Sequence, residues 1–101
     1  MTPVVHSFHF DQSVIPDDLE QTLLLAILAA EGLHGTARVR LEARYSFNSE
    51  DRNCVVDATT DVGRDVCRLF TGFAIREFGE SAFSVRKAER KPEPDLEGAS
   101  S

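Results

Sequence analysis

Residues 36–47, TARVRLEARYSF, lie at the centre of the chain's pattern of polar and apolar residues. Ala37, Val39, Leu41, Ala43, Tyr45 and Phe47 alternate with Arg38, Arg40, Glu42, Arg44 and Ser46. A period of two sends successive side chains to opposite sides of an extended chain. Thr36–Phe47 is therefore expected to be a long strand with a row of arginines on one face. The polar stretch Asn48–Asn53 (NSEDRN) follows it, and Cys54–Thr59 (CVVDAT) then supplies the second arm of a hairpin.

Working outward toward the N-terminus, Val4–Phe10 (VVHSFHF) alternates in the same way and predicts another strand. The segment DQSVIPDD then breaks the pattern. Pro16 suits a first helical turn, and Asp17, Asp18 and Glu20 suit the positive end of a helix dipole. The helix is expected to run to about Ala30–Leu33, with Gly32 or Gly35 as its left-handed exit. Toward the C-terminus, Thr60 or Asp61 can cap a second helix over Val62–Phe78, which Gly79 closes. Ala82–Ala88 predicts the last strand. From Pro92 onward, PEPDLEGASS has the composition of a disordered segment. The expected organisation is one domain over residues 1–90 and a disordered acidic tail over 91–101.

The order β-α-β-β-α-β matches an α+β chain of the ferredoxin-like α/β plait type. That arrangement has a four-stranded antiparallel sheet with two helices on one face. Right-handed crossovers place the first and third strands centrally and the second and fourth at the edges. Such an architecture hosts many activities and assigns none. No family motif accompanies it here.

At 101 residues, with 42% hydrophobic and 28% charged, the chain has the composition of an ordinary small globular domain. Its net charge of −6 is uneven, because residues 1–37 contain no Lys or Arg. An acidic balance argues against non-specific nucleic-acid binding, which needs clustered cations. The two cysteines, Cys54 and Cys67, form neither a C-x-x-C pair nor a zinc-like spacing. The longest apolar run, Leu23–Ala30, falls far short of the roughly 20 residues that span a bilayer, and no basic-then-apolar leader opens the sequence. The expectation is a cytoplasmic protein with reduced thiols, no metal, no cofactor and no membrane contact.

Three surfaces are candidates for function. On the first helix, Leu19, Leu23, Ala26, Ile27, Ala30 and Leu33 form one stripe toward the sheet. Leu24, Leu25 and Leu28 fall on the far side beside Glu20, Gln21 and Glu31, where a leucine patch marks a partner surface unless the stripe is simply wide and the second helix covers part of it. On the second helix, Val62, Val66, Cys67, Phe70, Phe73, Ala74 and Phe78 make the inward face. Arg64, Arg68, Gly72 and Arg76 make a polar row, which reads either as an interface for an acidic surface or anion or, more simply, as a solvated helix face laced with weak ion pairs. Gly72 inside that helix costs about 1 kcal/mol relative to Ala, which marks either the close approach of a neighbour or a leftover local weakness.

The third surface is the open face of the sheet. It is expected to carry Ser7 and His9 on the first strand, Val55, Asp57 and Thr59 on the third, and Ser84 and Arg86 on the fourth. His9 and Asp57 on adjacent strands could form an imidazole–carboxylate pair, and Arg38, Arg40 and Arg44 could hold an anion beside it. No nucleophile, carboxylate pair or phosphate loop joins them. The outward central positions also lack the aromatic rings that stack RNA bases. His6, His9 and His34 do not form a metal set, and a histidine at a helix exit suits the terminal carbonyls.

The sequence therefore favours a non-enzymatic interaction or assembly module, a homo-oligomer or partner-docking protein. The alternative is a small dimeric plait enzyme or anion sensor. It requires a pocket of roughly 300 Å³ or more, lined by His9 or His6 with converging arginines.

Overall fold

Alternation in the N-terminal segment produces β1 (Val4–Phe10), which sends Phe8 and Phe10 into the core and leaves His9 exposed. The structure, a computed structural model, describes residues 3–89; the expected acidic tail 91–101 lies outside the described residues. After β1, helix α1 (Pro16–His34) starts on a proline with Asp17 and Asp18 in its first turn. It ends at Gly35, whose φ of +89° lets its N–H reach the Glu31 carbonyl at 2.8 Å. Leu19, Leu23, Ala26 and Ala30 are buried as their spacing predicts. Thr22, the buried polar residue of this face, is satisfied because its hydroxyl donates to the Asp18 carbonyl at 2.8 Å.

The stretch 36–47 departs from expectation. Thr36–Glu42 is a helix, α2, and only Tyr45–Asn48 pairs as strand β2. Two properties of the residues outweigh the alternation. Ala, Arg, Leu and Glu are strong helix formers, and Arg38 and Glu42, four apart, close an ion pair at 3.1 Å that only a helix permits. Val39 alone is buried, and Leu41, which a strand would have buried beside it, is 76% exposed. A helix this short is not stable alone. It is held by Val39 in the core and by Arg38, which also reaches Asp61 at 2.9 Å.

The hairpin follows as expected, with β3 (Asn53–Asp57) antiparallel to β2 and Cys54 and Val56 facing inward. Helix α3 (Asp61–Phe78) is capped by Thr60, whose hydroxyl oxygen accepts the Gly63 N–H at 3.0 Å. Gly79, at φ +92°, closes it. A single 3-10 turn, Glu80–Ala82, leads to β4 (Phe83–Glu89).

The described residues thus form an α+β domain with an open four-stranded antiparallel sheet and three helices. The strand order β2-β3-β1-β4 puts the first and third strands centrally, an order compatible with a plait. Helices α1 and α3 pack on each other and cover one face. Phe70 of α3 meets Phe8 edge-on at 4.8 Å, and Phe10 stacks on Phe83 at 4.9 Å. The helical layer stops short of β4, whose residues 84–88 are all exposed. Among the described residues, no helix is long and apolar enough to cross a membrane.

Candidate functional site

Because α3 leaves the outer part of β4 uncovered, a cleft opens between them. It has a volume of about 670 Å³. One wall is the helix-facing side of the β1–β4 pair, with Val4, His6 and Lys87, where His6 and Lys87 are cross-strand partners. The other wall is α3, whose Arg64, Arg68, Thr71, Gly72 and Ile75 recur at helical spacing; Cys67 and Ala58 close the base. Among the described residues, no carboxylate lines this cleft.

Its cations are weakly engaged. Arg64 donates to the Thr59 carbonyl at 3.1 Å, and Arg68 reaches Asp65 at 3.4 Å while remaining largely exposed. Burial, followed by the charge of Lys87, holds the His6 imidazole below its ordinary value. His6 is therefore uncharged at neutral pH and offers one donor and one acceptor. Burial pushes the Cys54 and Cys67 thiols up to about 12, with each helped by a nearby acidic group, Cys67 for Cys54 and Asp57 for Cys67. Neither is a nucleophile. A disulfide-exchange reagent at pH 8 is expected to label the native protein roughly a thousandfold more slowly than the unfolded chain, as the loss of thiolate dictates. Native labelling at the unfolded rate would contradict that burial.

The residues assigned to an anion site on the open face are not brought together. The register pairs His9 with Asn53 and Val5 with Asp57, so His9 and Asp57 lie four positions apart, about 13 Å along the strands. Asp57 instead accepts the Thr59 N–H at 2.8 Å. Arg38 and Arg40 are not on a strand at all but on α2. Arg44 and Asp57 do share a depression of about 180 Å³ with Val5, Tyr45, Ser46 and Val55, too small for the expected pocket.

Arg38 serves the fold. Its guanidinium joins Glu42, Asp61 and, at 3.5 Å, the Nδ1 of His34. A guanidinium can only donate, so this contact makes Nδ1 the acceptor and leaves the proton on Nε2, which donates to Asp65 at 2.8 Å. The helix-exit histidine thus bonds a carboxylate of α3 rather than terminal carbonyls. This cluster ties the end of α1, the start of α2 and the first turns of α3.

On α1, Leu24, Leu25 and Leu28 are 46%, 57% and 59% exposed. The inward stripe is one residue shorter than its spacing implies, because Leu33 at the helix end is exposed too. On α3, the row Arg64, Arg68 and Gly72 lines the cleft, whereas Arg76 does not. Gly72 has nothing within 4 Å of a Cβ position, so of its two readings no close neighbour within the chain accounts for it. The tight glycine is Gly63, where a Cβ would overlap the Asp57 carbonyl oxygen. Its place three residues after a capping Thr was the available signal, but any residue suits a third helical position unless something crosses it.

Set against family models, curated proteins and solved structures, the chain matches none of them.

Proposed function

We propose that this protein is a non-enzymatic interaction module of the ferredoxin-like plait type, working in the cytoplasm, that self-associates through α1. The observation that carries the reading is the outward row of Leu24, Leu25 and Leu28, each about half exposed on a helix whose opposite face already fills the core. Contiguous leucines left in water mark a contact surface. The same face has no Lys or Arg, so its charge adds nothing to self-association, which rests on the leucines alone. A two-fold axis near Leu25 and Leu28 makes the patch self-complementary, and an antiparallel approach keeps the two acidic first turns apart. Two free, buried thiols accord with a reducing compartment.

One helix face supplies limited area. Nineteen residues extend about 28 Å, and a stripe about 10 Å wide covers roughly 300 Å². That is below the roughly 800 Å² per partner of standard interfaces, so the dimer is expected to be weak, in the micromolar range or above. Light scattering over a concentration series should show the mass rising from 11.2 kDa toward twice that value. The Leu24→Glu/Leu28→Glu double variant should stay at 11.2 kDa with an unchanged melting temperature. A wild-type protein that remains monomeric throughout would remove the reading.

A further inference from the structure

We propose that the cleft between α3 and the β1–β4 pair binds a small organic anion with an apolar body, a medium-chain or aryl carboxylate. This inference does not depend on self-association through α1. It also moves the anion site away from the open sheet face, where the register keeps His9 and Asp57 apart.

Four observations converge on that ligand class. The volume, about 670 Å³, is in the range of clefts that take drug-sized molecules. The cationic groups come from both walls, Arg64 and Arg68 from successive turns of α3 and Lys87 from β4, with no lining carboxylate among the described residues to neutralise them. Inorganic ions would need only that rim, but Val4, Ala58, Cys67 and Ile75 add an apolar lining, beside His6 and beside Thr71, whose hydroxyl donates to the Cys67 carbonyl at 2.7 Å. Finally, Gly72 leaves the middle of the helical wall without a side chain, so an apolar body can lie against the α3 backbone there. A carboxylate would sit among the arginines and Lys87, and uncharged His6 would supply a directional hydrogen bond. Guanidinium groups favour carboxylates through paired N–H donors.

The test uses the full-length protein and titrates three probes below any micellar concentration: decanoate, decanol and sulfate. Decanoate should bind saturably at one site per chain. Decanol, which lacks the charge, and sulfate, which lacks the body, should each bind at least about tenfold more weakly. The backbone NMR signals that move with decanoate should be those of residues 68–75 and 85–88. The His6 imidazole signals should shift toward the protonated form as the anion offsets Lys87.

Gly72→Leu fills the cleft at an exposed helical position with open space around it, so it should fold and lose decanoate binding by about tenfold or more. Arg68→Glu/Lys87→Glu should do the same through charge. Leu24→Glu/Leu28→Glu should bind as wild type. Binding that survives Gly72→Leu, equals that of decanol, or maps to α1 would overturn the proposal. So would cleft signals that respond to neutralising Glu93, Asp95 and Glu97 but not to decanoate, since the chain's own acidic segment would then be the occupant.

Discussion

Truncating Phe70 to Ala should lower the unfolding free energy by about 3–5 kcal/mol, the range for large-to-small changes at aromatic core positions. Phe70 is fully buried at the junction of helix and sheet, where it packs edge-on against Phe8 and, at 5.9 Å, against Phe10. Phe10 in turn contacts Phe78 and Phe83, so the ring of Phe70 supports a cluster drawn from β1, α3 and β4. Nothing around it is positioned to fill the space, because its neighbours belong to regular elements whose backbones are fixed by hydrogen bonds. Small domains have roughly 5–15 kcal/mol of stability, so this variant should be largely unfolded at moderate urea. Phe73→Ala, half-buried on the same helix, should cost less. Urea denaturation of the two variants checks the ordering, and equal losses would mean that the buried cluster does not dominate.

The second large effect concerns the two glycines of α3 that meet opposite surroundings, Gly63 crowded and Gly72 open. Gly63→Ala should destabilise by about 3 kcal/mol, the upper end of the overpacking range. Its Cβ would occupy space held by the Asp57 carbonyl oxygen, and both are backbone-anchored, one in a helix turn and one at the end of β3. Neither can swing aside as a flexible side chain would. Gly72→Ala, by contrast, meets open space in a helix interior. It should stabilise by about 0.5–1 kcal/mol, because alanine restricts the unfolded chain and favours the helix. Thermal melts of the pair should shift in opposite directions. A stabilising Gly63→Ala would show that the helix start and strand end do not approach as described.

The sequence was sufficient where a single local rule decided the outcome. Strand alternation placed Phe8, Phe10, Cys54 and Val56 inward, Gly79 ended α3, and leucines 24, 25 and 28 fell outside the buried stripe, while the choices of Gly35 over Gly32 and Thr60 over Asp61 were left to the structure. Each depends on periodicity or backbone freedom, which a chain carries in its residues. It failed at Thr36–Glu42, where two local rules competed. The alternating pattern and the helix propensity of the same seven residues point to different elements. Val39 entering the core and Arg38 bridging to Asp61 of a distant helix decided between them. Only tertiary structure could also set the strand register, which separates His9 from Asp57, or bring Asp57 against Gly63. The cleft belongs to the same category. Arg64, Arg68, His6 and Lys87 acquire a common surface because α3 stops short of covering β4, and the placement of one packed layer on another follows from the whole core rather than from any segment of it.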